Sequence, residues 1–371
     1  MALDEREAYI ALALTPGIGA ARLDTLLQQA GSALGALSAP FEFLCALPGI
    51  SPAAATAIGE SRRTGAAQVL HEVARLGAGC LLPGDARFPA ACREIPDRPT
   101  LLFAMGDLTL LERPAVAIVG SRDHSGYGAT VGREMAFGAA SSGLVVVSGM
   151  ARGLDAVAHA AALDAGGATI GVLGNGLGVI YPAANRNLYQ RVAEQGLLLT
   201  EFPPGERPMI ASFPRRNRLI SALARVTVVI EAAIDSGAMI TVGTALAQGR
   251  DVMAVPGNID SPTSAGTNRL IRDGAEPLLV LGDLLAHYPE AAGSGSAEAV
   301  PALSPVLPGI PAGLGAAEAR IFRVLASGPC RTDELIVSAE LSAQEALVAL
   351  SGLELSGVVS QERGVVRLIG F

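Results

Sequence analysis

The chain has 371 residues, enough for about two or three domains. Half of the residues are hydrophobic and 17% are charged, which provides for a sizeable core and excludes wholesale disorder. The formal net charge is −8, yet residues 113–272 carry 14 arginines against 11 acids while both flanks are acidic, so a nucleic-acid site in the centre is not excluded. There is no lysine, so every basic side chain is an arginine. Cys45, Cys80, Cys92 and Cys330 form no CxxC pair and lie near no histidine cluster. Neither a disulfide framework nor a metal site is indicated, and no cofactor is expected. The acidic opening "MALDEREAYI" is no secretory signal, and runs such as "GLVVVSGMA" are too short to span a bilayer. The expectation is a cytoplasmic protein without a membrane partner.

Residues 1–85 read as short helices. "LTPGIGAARLDTLL" from Leu14 and "ALPGISPAAATAI" from Ala46 share one pattern: an apolar residue, Pro-Gly, an apolar residue, then a helical run. This is a helix-hairpin-helix (SAM-like) pattern, which either presents helix N-termini to phosphates or serves as a helical packing module.

Residues 86–289 form the second predicted domain. Short β-rich runs begin at 115 and alternate with Ala-rich helical stretches: "AVAIVG" (115–120), "LVVVSG" (144–149), "TIGVLG" (169–174), "LLLTEF" (197–202), "VTVVIEA" (226–232), "DVMAVPG" (251–257) and "PLLVLG" (277–282). They are continuously apolar, as parallel strands covered on both faces must be. The predicted fold class is α/β, a Rossmann-like doubly wound parallel sheet, with the ligand at the carboxyl ends of the strands. Residues 290–313 read as a linker rich in Gly, Ser, Pro and Ala. Residues 314–371 predict a winged-helix domain: three helices, with Thr332 as one N-cap and a capping box from Ser342 to Glu345, and a terminal hairpin turning near Gly364.

The post-strand loops carry the chemistry. The first holds Gly120, Ser121 and Arg122; the second Gly149 and Arg152; the third Asn185 and Arg186; the fourth Phe213, Arg215, Arg216, Asn217 and Arg218 in "FPRRNR". Guanidinium forks match phosphate oxygens in pairs. Arginines from several loops on one sheet edge make an electropositive groove for successive phosphates, and Phe213 could stack a base. The competing reading is that these arginines pair with Asp123, Asp155 or Glu201. His159, four residues after Asp155, reads as structural rather than as a base. No G-x-S-x-G elbow or P-loop is present.

Six segments carry a resemblance: "VAIVGSRDHSGYG", "VVSGMARGLDAVAHAAALDAGG", "GVLGNGLGVIYPAANRNL", "FPRRNRLISALA", "SGAMITVGTALAQGRDVMAVPG" and "GTNRLIRDGA". In this order and spacing the chain resembles the DNA-processing protein DprA (Smf) family over about residues 80–285. The resemblance implies a non-catalytic single-stranded DNA-binding protein. Such a protein shields incoming strands and helps load RecA recombinase in natural transformation, or serves repair. It further implies a homodimer whose partner-facing surface falls around Met239, Ile240, Thr267, Asn268, Leu270 and Gly274. Gly178 departs from the family's acidic residue in "GxGLDxxYP". Two rival readings are a nucleotide-processing enzyme on a related fold and a DNA-independent recombination adaptor. The first would carry a "PGGxGTxxE" loop, but "SGAMITVGTALAQG" supplies no glutamate.

Overall fold

The computed structural model describes residues 3–64, 66–291, 314–325, 330–362 and 364–368. It divides into two compact units, Met1–Ser296 and Ala297–Phe371. Beyond Ala291 the predicted linker lies outside the described residues.

The first unit opens with six helices: α1 (Glu5–Ala13), α2 (Ala20–Ala30), α3 (Ala33–Ser38), α4 (Phe41–Ala46), α5 (Pro52–Thr64) and α6 (Ala67–Arg75). The Asp4 side chain accepts from the Glu7 N–H and Glu7 answers at the Asp4 N–H, a capping box that fixes where α1 begins. The two similar segments become two similar hairpins, α1 to α2 and α4 to α5. Gly17 (φ 81°) and Gly49 (φ 78°) stand at matching points of their turns. Ile10, Leu12, Leu23, Leu26 and Ile58 are buried between the helices, and the same core continues into Phe103, Leu173, Tyr189 and Leu198. The helical region and the sheet that follows are therefore packed as one body.

That sheet is built in chain order from β1 (Gly79–Leu81), α7 (Ala90–Glu94), β2 (Leu102–Gly106), β3 (Ala115–Val119), α8 (Gly126–Ser141), β4 (Val145–Ser148), α9 (Leu154–Asp164), β5 (Thr169–Val172), α10 (Arg186–Gln195), β6 (Leu197–Thr200), α11 (Ser212–Ala222), β7 (Val226–Val229), α12 (Gly237–Ala247), β8 (Asp251–Ala254), α13 (Ala265–Arg272), β9 (Glu276–Pro277) and α14 (Leu281–Leu285). The spatial order is β1-β2-β6-β5-β4-β3-β7-β8-β9. From β3 the chain builds outward through β4, β5 and β6, then returns to β3's other side for β7. The loops after β3 and β7 thus lie side by side.

The sheet is mixed rather than wholly parallel. β1 pairs antiparallel with β2, and β2 with β6. These two strands are short and sit between Pro- and Gly-rich turns, so no sustained pattern marks them in the sequence. The last predicted strand, 277–282, is also corrected. Only Glu276–Pro277 pairs with β8, and Asp283 accepts from the N–H groups of Leu279 and Val280 to start α14. Along β3, Ala117 and Val119 bury into one apolar cluster with α11 and α12, while Val116 and Ile118 bury into another with α8 and α9. Helices on both faces explain why the strands are continuously apolar.

The second unit contains α15 (Ala316–Leu325), β10 (Cys330–Arg331), α16 (Thr332–Ser338), α17 (Ala343–Leu355), β11 (Val359–Glu362) and β12 (Val365–Leu368). The capping box at Ser342 and Glu345 is present. Thr332 is the first residue of α16 rather than its cap, and its hydroxyl donates to the Gly364 carbonyl. A third strand, β10, joins the hairpin in the order β10-β12-β11, completing a winged-helix domain. Among the described residues no single helix is long and apolar enough to cross a membrane.

One tyrosine closes the first unit. Tyr288 is fully buried, and its hydroxyl donates to the Ala115 carbonyl at 2.8 Å while accepting from the Val226 N–H at 3.1 Å. It therefore ties the chain after α14 to the starts of β3 and β7. Tyr288→Phe is expected to lower the unfolding free energy by about 1–3 kcal/mol, because buried backbone groups lose their partner. Denaturant unfolding curves check this, and an unchanged midpoint would remove the tie.

Candidate nucleic-acid interface

At the carboxyl ends of β3, β4 and β5 the loops enclose an open cavity of about 360 Å³. Arg122, the stretch Gly149–Arg152, Gly174 and Tyr181 line it, and α11 contributes Phe213 and Arg216. Three of the predicted arginines, Arg122, Arg152 and Arg216, thus meet at one place.

The floor is the segment Gly149–Met150–Ala151, and buried side chains hold its backbone. The Arg216 guanidinium donates to the carbonyls of Gly149 and Val172. The Met150 N–H donates to His159 Nε2 at 3.4 Å. Asn185 Nδ2 donates to the carbonyls of Met150 and Ala151, both at 3.0 Å. The Ala151 N–H donates to Asp155 Oδ2 at 3.3 Å. Met150, a non-glycine, is held at φ 56° by these ties. Glycine is required at position 149 because a Cβ there would lie 2.7 Å from both Arg216 and Asp155. It is required at 174 because a Cβ would lie 2.8 Å from the Phe213 ring.

The polar groups under this floor are strongly perturbed. Burial pushes the Asp155 carboxyl up, against the pull of Arg216. Burial pushes the Arg216 guanidinium down to about 10, although Asp155 opposes the shift. Burial, reinforced by Arg216, pushes His159 down to about 3. The Thr169 hydroxyl donates to the Val146 carbonyl, so it must accept from His159 Nδ1–H at 2.7 Å. That leaves Nε2 as the acceptor for Met150, and the neutral ring satisfies both contacts.

The walls carry the exposed groups. The Arg122 guanidinium lies 5.7 Å from the centre of the Phe213 ring. Tyr181, half exposed, also meets this ring, with centroids 5.6 Å apart and planes tilted by 33°. Arg152 is 62% exposed and pairs with Asp123 at 2.9 Å. Gly120 packs against Leu154 and the Glu231 carbonyl, and the Ser121 hydroxyl donates to the Asp123 carbonyl and accepts from the Asp123 N–H. Glu231, buried, accepts from the Ser125 N–H at 2.8 Å and from the Thr263 hydroxyl, which fixes this loop.

Other predicted residues are not brought into the cavity. Arg218 is buried on the other side of α11, bound to Glu201 at 2.5 Å and to Asp97 at 3.1 Å. Arg215 is exposed on the far face of α11, 3.7 Å from Glu201 and over the Phe202 ring. One turn of α11 thus sends Phe213 and Arg216 to one side and Arg215 and Arg218 to the other, as helical spacing requires. Asn217 accepts from Arg216 Nε, which orients that guanidinium. Asn185 acts through the floor, and Arg186 is exposed at the start of α10.

The predicted partner surface is also divided. Ile240 is 45% exposed on α12, and Gly274 is exposed at a turn. Thr267 is fully buried, and Met239 and Leu270 pack against the core. Asn268 brackets Gly257 through both its N–H and its carbonyl. Thr267 therefore offers no side chain to a partner. Sequence reasoning missed Tyr181 and Glu231. The Tyr-Pro pair after a Gly-rich loop was the available signal for the first, and an acid directly after a β-rich run was the signal for the second.

Residues 79–289 match the family described as DNA recombination-mediator protein A, and residues 305–364 match the DprA winged helix domain. The chain belongs to the DprA family. The DNA processing protein DprA of Streptococcus pneumoniae is 45% identical over 204 residues, covering 55% of this chain and 72% of that protein. Protein Smf of Synechocystis sp. is 33% identical over 344 residues, 83% of this chain and 84% of that one. The X-ray structure of the S. pneumoniae protein superposes with a TM-score of 0.66 at 34% identity, over 77% of this chain and 98% of that chain. A structure of the Helicobacter pylori DprA concerns its single-stranded DNA binding mode. It aligns with a TM-score of 0.53 at 30% identity, over 57% and 96% of the two chains.

His159 yields a test of the floor. Its folded-state pKa is depressed to about 3, so only the unfolded chain takes up this proton as pH falls below the ordinary value of 6.5. Its contribution is complete above that value and is lost on the way down towards 3. The stability gap between wild type and His159→Gln should therefore narrow by about 2 kcal/mol from pH 7.5 to pH 5. Paired denaturation curves read this directly, and a gap independent of pH would show that the ring is not buried neutral.

Proposed function

We propose that this protein binds single-stranded DNA in the groove walled by Arg122, Arg152, Tyr181 and Phe213, and that it is a binding protein rather than an enzyme. The observation that carries this reading is the convergence of two exposed arginines and an aromatic pair over a rigid floor. Arginine forks suit phosphate oxygens, and rings accept any base, so affinity without sequence preference is expected. The DNA-binding description of the H. pylori relative supports the same reading. Against an enzyme stands His159, which has no exposure and spends both ring nitrogens on structure.

By family membership, the bound strand is shielded and handed to RecA recombinase in transformation or repair, in the cytoplasm and by a homodimer. The exposed Ile240 and Leu246 on α12 suit such a dimer contact. Residues 86–289 are best regarded as a Rossmann-like doubly wound domain, to whose sheet the helical SAM-like module (1–85) adds the edge strand β1, and a linker (290–313) joins it to the winged helix (314–371). In that last domain α17 contains two glutamates and no arginine, so protein contact suits it better than duplex DNA.

Within the groove Tyr181, not Phe213, is the ring with a free face, since Phe213 is flanked by Arg122, Tyr181 and Gly174. Arg122→Ala should weaken single-strand binding and reduce the salt slope by about 0.7, the loss of one phosphate contact. Tyr181→Ala should cost about 1–3 kcal/mol with the slope retained, as lost stacking does. Fluorescence anisotropy across a salt series measures both, and duplex binding equal to single-strand binding would overturn the groove reading.

A further inference from the structure

We propose a second nucleic-acid contact at the opposite end of the sheet, one that reads phosphate alone. A cavity of about 420 Å³ lies at the amino-terminal ends of β3, β7 and β8, lined by Arg87, Arg93, Arg113, Arg225 and Arg250. Glu112 is the one acid in its lining. Five arginines line it in a chain whose formal net charge is −8.

The neighbouring acids offset this charge only in part. Glu290 pairs with Arg225 at 2.5 Å, Asp251 also lies near enough to act on Arg225, and Asp107 to act on Arg113 and Arg87. Among the described residues, Arg87, Arg93, Arg113 and Arg250 make no ion pair. Three of these four are instead anchored on neutral carbonyls. Arg93 donates to Pro83 and Asp85, Arg113 to Gly143 at 3.0 Å, and Arg250 to Ala222 at 3.4 Å. A carbonyl orients a guanidinium without cancelling its charge. Arg250 also keeps a buried Nε–H that has no partner. Arginines fixed in this way lose little rotamer freedom when an anion arrives.

The lining also indicates what the anion is. Phe88 and Tyr288 are buried, so no ring is exposed for a base or a nucleoside to stack upon. A mononucleotide would gain contacts to its phosphate only, whereas a strand brings a row of phosphates. Strands of four or five residues separate the two cavities, about 15 Å of β-structure. A long single strand leaving the groove has chain enough to run around the molecule to the second site, whereas a strand of about six nucleotides is taken up by the groove itself.

This inference rests on the single-strand reading of the groove, and its test separates the two. Labelled oligothymidylates of about six and about forty nucleotides are titrated across a salt series against wild type, Arg122→Ala and the double variant Arg87→Ala/Arg113→Ala. Both residues of the double variant are exposed, and circular dichroism verifies that it folds. The expected result is that the double variant lowers the salt slope for the long strand by about 1.4 and leaves the short strand unchanged, while Arg122→Ala weakens both. An unchanged slope for the long strand, with wild type binding both lengths, overturns the second site alone. Failure of wild type to bind either length overturns the groove reading. Inorganic tripolyphosphate serves as the free-phosphate probe: binding that the double variant abolishes, without any change for the long strand, would assign the cavity to small phosphates and overturn the nucleic-acid proposal.

Discussion

The groove depends on the way Gly149–Met150–Ala151 is held. Met150, just past the end of β4, takes a conformation that a non-glycine seldom adopts, and Arg216, His159, Asn185 and Asp155 each hold part of the backbone of this segment. Each of these side chains is supplied by a different piece of chain or a different turn of helix. A buried polar network of this kind is costly when one member is lost, because the others are left unsatisfied in a low-dielectric interior. Its benefit is rigidity: the exposed arginines are displayed from a surface that need not be ordered when a ligand binds.

The arrangement also divides labour among the arginines. Arg216 in the floor, and Arg218 on the other side of α11, are buried and engaged with carbonyls or carboxylates. Those at the rim, Arg122 and Arg152, are exposed, and the carboxylate partner there, Asp123 on Arg152, is itself at the surface. Burial decides which role a guanidinium can play. A desolvated arginine must spend its donors on the protein, whereas a solvated one keeps them for phosphate. The "FPRRNR" stretch contains both kinds within one turn, which is why counting its charges overstates what it offers to a ligand.

Much of the fold was legible in the chain. Continuously apolar runs, four of them ending in glycine, identified six of the sheet's strands, and their two-sided burial follows from the same composition. The paired Pro-Gly turns and the Ser342–Glu345 capping box also stand where local chemistry put them. The antiparallel strands β1 and β2 were not legible. β2 pairs with β6, nearly a hundred residues later, and β1 with β2, and three to five residues carry too little pattern to announce either.

The sequence by itself determined the post-strand loops, their arginines and the family to which they belong, because strand ends and glycine turns are set by local chemistry. Only the tertiary structure decided which arginines face solvent, since the faces of α11 are sorted by what packs against them. The same holds for Tyr181 and Glu231, whose roles arise from neighbours distant in sequence. The cluster of Arg87, Arg113 and Arg250 exists for the same reason: the sheet order places the starts of β3, β7 and β8 side by side, and no local pattern records that.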